Sequence, residues 1–250
     1  MIFSIASREL KTLFLSPLAW SILAVLQFIM AYLFLTQIET FTSFQSQLAN
    51  IDVAPGLTGI IVLPLFANAS IILLLVTPLL TMRLVSEERR NKTLSLLLSA
   101  PLSAAEIILG KFLGILGMLM LIVIMVSLMP LSLLLGGELD LGKFSCNIIA
   151  LSLLVAAFSS LGLYMSCVAS HPTVAAIASF GLLLLLWILD WTAGLKDQQS
   201  EIFQYLSLLK HFQNIQSGLI NSVDICYFLL FISTFLILSI RRLEYDRLQK

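Results

Sequence analysis

Few residues in this chain could do chemistry, and those few are scattered. Gly137 to Lys143 has the spacing of a phosphate-cradling loop: glycine, four residues, glycine, lysine. Phe144 stands where a Ser or Thr hydroxyl would hold magnesium, and no strand pattern precedes the stretch, so nucleotide binding by this chain is not expected. His171 and His211 make no His-x-x-x-His spacing, and no paired-Cys spacing occurs, so no metal site is expected. Cys146, Cys167 and Cys226 read as small buried hydrophobic side chains. There is no Gly-x-Ser-x-Gly elbow for a nucleophile. What remains is charge. Glu87, Glu88, Arg89, Arg90, Lys92, Glu106 and Lys111 crowd into residues 86–111, SEERRNKTLSLLLSAPLSAAEIILGK, between long oily runs.

The elements that must position this charge follow from composition. The chain has 250 residues, 59% hydrophobic and 11% charged, with a mean hydropathy of +1.03. Soluble domains carry about 25% charged residues. So apolar a chain cannot cover a folded surface with polar groups, and an all-α integral membrane protein is expected. The net charge of zero excludes a generally basic nucleic-acid binder. A membrane-spanning helix needs about 20 mostly apolar residues. Six segments qualify: about 17–36, 62–84, 107–135, 144–168, 173–191 and 223–240. Pro64 and Pro78 are expected to kink or break the second.

Basic residues set the orientation. Arg8, Lys11, Arg83, Arg89, Arg90, Lys92, Lys111, Arg241, Arg242, Arg247 and Lys250 fall on one side of this layout, against Lys143, Lys196 and Lys210 on the other. The excess of positive charge on cytoplasmic loops then puts both termini in the cytoplasm. Asp and Glu populate the opposite loops, and Trp187, Trp191 and Tyr227 mark an outer aromatic belt. Apart from Asp190 near an outer end, the spans carry no charge deep in the membrane, which argues against a proton-coupled pump.

Between the spans lie three shorter elements. In residues 1–16, Ile2, Phe3, Ala6, Leu10, Leu13 and Phe14 share one helical face and Ser7, Arg8, Lys11 and Thr12 the other, as in an interfacial elbow helix turned into the bilayer at Pro17. Residues 37–61 read as a polar outer loop. Residues 192–222, with Phe203, Leu206, Leu209 or Lys210, Phe212 and Leu219 at mixed helical spacing, read as an external interfacial or re-entrant segment. Gly110-x-x-x-Gly114 and Ala156-x-x-x-Ser160 permit close helix packing, read here as generic packing within the chain.

The cytoplasmic loop 85–106 has its own plan. Asn91 or Thr93 can cap a short helix whose apolar face is Leu94, Leu97 and Leu98, and Pro101 ends it. Ser103 and Glu106 then form a capping box that starts the next helix. A leucine-faced helix between charges needs a surface to dock on, and a link through Glu106 and Lys111 would carry motion into the third span.

Ser86, Glu87, Glu88, Arg89, Thr93, Leu94, Leu96, Leu97, Leu98, Ser99, Pro101, Ser103, Glu106, Gly110 and Lys111 stand in an order that resembles the first cytoplasmic loop of type-2 ABC exporter permeases. Lys92 stands where that family has glycine, and Ser95 where it has glutamate. Residues 205–232, through His211, Phe212, Gly218, Asp224 and Tyr227, are similar to the outer loop and last helix of the gliding-motility and copper-enzyme-maturation branch. The resemblance covers essentially the whole chain. It implies a permease subunit in a bacterial inner membrane that pairs with a second copy or a paralogue, within membrane lipid and without nucleic acid. It implies a separate ATP-binding cassette ATPase, which would hold ATP and magnesium, with no cofactor on this chain. Residues about 91–101 would be the coupling helix. Glu87, Glu88, Arg89, Arg90, Thr93, Leu94, Leu97, Leu98, Pro101, Ser103 and Glu106 would contact the ATPase, and His171 and Pro172 would form a second cytoplasmic contact. Two other classes stay open at this point: a non-transporting ABC membrane subunit that transmits force to an outer machine, and an intramembrane enzyme or assembly factor.

Overall fold

The computed structural model describes residues 1–48, 57–93, 102–135, 139–193, 207–218 and 221–248. These residues are helices and short connections, with no strand among them. A chain in lipid must satisfy its backbone N–H and C=O groups internally, and long apolar helices do so segment by segment. In chain order the helices are α1 (Ile2–Leu15), α2 (Pro17–Leu48), α3 (Leu63–Thr81), α4 (Ser86–Arg90), α5 (Ala104–Leu131), α6 (Leu141–Val168), α7 (Pro172–Ala193), α8 (Leu208–Gln216) and α9 (Ser222–Leu248). A π-helical turn, Thr58–Val62, leads into α3, and a 3-10 turn, Ser132–Leu135, follows α5.

Five described stretches are long and apolar enough to cross a membrane: Pro17–Ser43, Thr58–Arg90, Ala104–Leu134, Leu141–Val168 and Ser222–Leu248. The sixth expected span falls on α7, whose qualifying apolar part, Pro172–Ile188, is shorter. The chain is therefore a multi-pass membrane protein.

Helix α6 is the centre of the bundle. It packs against α3, α5, α7, α8 and α9, and Leu154, Ala157, Phe158 and Leu161 along it are fully buried. Phe66 of α3 meets Phe144 of α6 edge to face, with centroids 6.3 Å apart. Thr81 of α3 comes so close to Gly162 that a side chain there would collide with it. The outermost helices keep apolar side chains exposed, such as Phe28 and Leu35 on α2, Ile177 on α7 and Leu230 on α9. In a membrane protein these faces meet lipid or another chain.

Helix ends follow local signals. Asp140 accepts from the Lys143 amide at 3.1 Å and starts α6, so the second half of the phosphate-loop-like stretch is a helix start. Ser207 accepts from the Lys210 amide at 3.2 Å and starts α8. Gly218, at φ 93°, follows its end. Pro78 sits inside α3.

One expectation about loops is corrected. The stretch expected as a polar loop from residue 37 begins as twelve further residues of α2, which runs to Leu48. Hydroxyls there bond back to their own helix: Thr36 to Leu33 O at 2.8 Å, Thr40 to Thr36 O at 2.7 Å, and Thr42 to Glu39 O at 2.8 Å. Polar side chains that satisfy themselves this way do not force the helix to end. Of the residues picked out in 192–222, Phe203, Leu206 and Leu219 lie outside the described residues, and Phe212 is buried on α8 together with Leu208, His211 and Ile215, against α6, α7 and α9.

Candidate functional site at the charged end of the bundle

Helix α1 lies across the start of α5. A Cβ at Gly110 would meet Ile5 at 2.7 Å, and one at Gly114 would meet the Glu9 Cβ at 2.7 Å and Ala6 O at 3.1 Å. The Gly-x-x-x-Gly spacing thus packs helices within the chain, as expected. The elbow after α1 is closed by Trp20, whose Nε1 donates to Phe14 O at 2.6 Å and whose ring meets Phe14 edge-on. Phe3, expected on the apolar face of an interfacial helix, is exposed, while Ile5 and Glu9 take part in the contact with α5.

That approach puts Glu9 beside a buried cation. Lys111 of α5 is 1% exposed. Its Nζ donates to Glu9 Oε1 at 2.8 Å and to Glu88 Oε1 at 2.7 Å. A buried ammonium without partners is costly, so two carboxylates from two other elements define where it sits. One side chain therefore joins α1, α4 and α5.

Arg89, next to Glu88, faces the other way. Its Nη2 donates to Cys167 O, at the end of α6, at 2.7 Å, and pairs with the carboxylate of Asp246 near the end of α9. Arg242 lies 3.7 Å from the same carboxylate. Ser166 of α6 caps α4: its Oγ accepts from the amides of Val85 at 3.0 Å and Ser86 at 3.1 Å and donates to Met82 O at 3.0 Å. Glu87 and Arg90 are exposed on α4.

Beyond α4 the chain turns at Lys92, which holds φ 58°, the left-handed region that favours glycine. The Thr93 amide donates to Glu88 O at 3.0 Å. Leu94, Leu97, Leu98 and Pro101 lie outside the described residues. On the far side, the Ser103–Glu106 capping box forms: the Ser103 amide donates to Glu106 Oε2 at 3.0 Å, and the Glu106 amide to Ser103 Oγ at 3.1 Å. His171 is exposed just before α7, and Pro172 is buried at that helix's first position. Glu106 is held in its own capping box with Ser103, while Glu88 and Arg89 lie in one network. Glu9, Lys111, Ser166 and Asp246 complete it and were not singled out as site residues. Glu9 had a signal: at helical spacing it falls among Ile5, Ala6 and Leu13 rather than with Arg8 and Lys11.

The opposite end holds a second polar cluster. His211 Nδ1 lies 2.5 Å from Asp224 Oδ1, and its ring stacks on Tyr227 with centroids 4.1 Å apart. Asn214 donates to the same Asp224 oxygen at 3.4 Å. Gln216 Nε2 donates to Leu63 O at 2.7 Å, tying α8 to α3. His171 and His211 thus stand at opposite ends. Among the described residues no three His, Cys, Asp or Glu side chains converge as metal ligands. Cys146 and Cys167 are buried, whereas Cys226 is exposed, which corrects the expectation that all three are buried.

The geometry offers no reaction centre among the described residues. It offers a mechanical one: a short charged helix wired to four other elements at one end of an apolar bundle. No curated protein matches the chain. The family model described as ABC-2 family transporter protein matches residues 3–244, and the chain therefore belongs to the ABC-2 transporter family, as a permease subunit of an ABC system.

Proposed function

We propose that this chain is the membrane-spanning subunit of an ABC exporter in a bacterial inner membrane, working as a dimer with itself or a paralogue. A separate cytoplasmic ATPase, which holds ATP and magnesium, docks on residues 87–106, with His171 and Pro172 as a second contact. Both termini face the cytoplasm and α7 completes six spans. Within the family the chain stands with the gliding-motility and copper-enzyme-maturation branch. When ATP closes the ATPase pair, the loops move together and the bundle changes between two arrangements.

The observation that carries this reading is the Lys111 junction. A buried ammonium held by Glu9 and Glu88 makes α4 move with α1 and α5. A loop that merely obeyed the charge bias of cytoplasmic segments would need no buried three-element ion cluster. The test is expression from the native gene neighbourhood, purification in mild detergent with identification of what co-purifies, and an ATPase assay. A stoichiometric ATP-binding cassette protein, lost with Leu97→Glu while the chain stays folded, is the expected result. A stable chain with no such partner would return the force-transmitting or assembly-factor classes to first place.

A further inference from the structure

The last turn of α9 grips the cytoplasmic loop on both of its described flanks. On the leading flank, the Asp246 carboxylate takes the guanidinium of Arg89. On the trailing flank, Arg247 Nη1 donates to Leu102 O at 3.1 Å. Asp246 and Arg247 are neighbours in the chain, so one rigid turn fixes two points that the loop separates. The turn is itself seated. Leu243 is 1% exposed, Arg242 braces Asp246 at 3.7 Å, and Arg89 is fixed by its second bond, to Cys167 O at 2.7 Å. The Arg89 and Asp246 side chains are 22% and 16% exposed. Water screens such a pair less than an ordinary surface pair, whose geometry is loose. Crossing the membrane requires none of this. Basic residues after the last span satisfy the orientation rule wherever they point, yet here one acid and one base of opposite duty meet the two flanks of a single loop.

We propose that Asp246 and Arg247 form a clamp that sets the spacing and orientation of the loop offered to the ATPase, making the end of α9 a positioning element for coupling. The proposal rests on the reading of residues 87–106 as the ATPase contact. It adds α9 to the elements that must move when that contact moves, and it assigns a role to the cytoplasmic end of the chain beyond topology.

The test uses the permease–ATPase complex in lipid nanodiscs and three readouts: ATPase binding, permease-dependent ATP hydrolysis and thermal unfolding. Arg89→Asp and Asp246→Arg should each lower permease-dependent hydrolysis about tenfold, within the range of coupling effects between distant sites, while thermal unfolding changes far less. The double reversal, Arg89→Asp with Asp246→Arg, should restore most of the rate. If reversal prevents folding, the near-isosteric Asp246→Asn and the exposed Arg247→Ala should still lower hydrolysis severalfold at unchanged ATPase binding. Wild-type rates in these two variants would overturn the clamp, as would a loss that tracks thermal stability and is not restored by the double reversal. A wild-type chain that binds no ATPase would overturn the underlying reading instead, and the clamp with it.

Discussion

Lys111 is the residue on which most of the geometry at the charged end of the bundle turns. Its partners come from helices far apart in sequence, and neither lies within reach of another described cation as close as Lys111 itself. Removing one member of a fully buried ion cluster costs about 3–5 kcal/mol. Glu9 and Glu88 keep 14% and 22% of their side chains exposed, so Lys111→Met should cost less, about 2 kcal/mol. Adding Glu9→Gln and Glu88→Gln to it should recover more than half, since no unpaired charge is left. Thermal unfolding in detergent checks both, and a triple variant no better than the single would show that the cluster is not electrostatic in origin. At the opposite end, His211→Ala should lower stability by about 1–3 kcal/mol, because it strips the buried Asp224 carboxylate of its closest partner. Asp224→Asn should cost less, read on the same unfolding curve. The sequence showed Lys111 as part of a link into the third span, but not its partners. Periodicity gives each helix a polar and an apolar side; it does not say that Glu9, on the apolar side, would meet a cation from elsewhere.

Among the elements, α1 and α2 show where sequence reasoning holds and where it stops. An amphipathic first helix ending at a proline was legible from its alternating faces. What covers the apolar face was not, because a lipid surface and a glycine groove on α5 demand the same pattern. The groove makes a graded prediction. Gly110→Ala and Gly114→Ala place a methyl group against the Cβ atoms of Ile5 and Glu9 at 2.7 Å, whereas Gly117→Ala meets only the flexible end of Leu10 at 2.6 Å. The first two should each cost about 1–3 kcal/mol and loosen α1, the third clearly less. Hydrogen exchange of the α1 amides measures this directly. Equal, small effects at all three would mean that α1 is not held by α5. The extension of α2 was hidden for a different reason. Thr and Ser read as loop by composition, yet the hydroxyls of Thr36, Thr40, Thr42 and Ser43 close onto carbonyls of their own helix.

For the whole molecule, composition and charge bias carried the argument furthest. A mean hydropathy of +1.03 left no soluble alternative, and the structure gathers Glu9, Glu88, Arg89, Lys111 and Asp246 at one end, the end expected to be basic. The number of crossings was less legible, because it depends on α7, where a described apolar length below that of the other five coincides with a polar segment following it in sequence. The central claim is that this charged end is where an ATPase delivers its motion. The most direct measurement places a photo-activatable cross-linking residue at position 97, and as a control at position 211, in cells that express the chain from its native gene neighbourhood. The account predicts that an ATP-binding cassette protein is captured from position 97 and not from position 211. Capture from 211, or no ATP-binding protein from 97 in a folded chain, would contradict it.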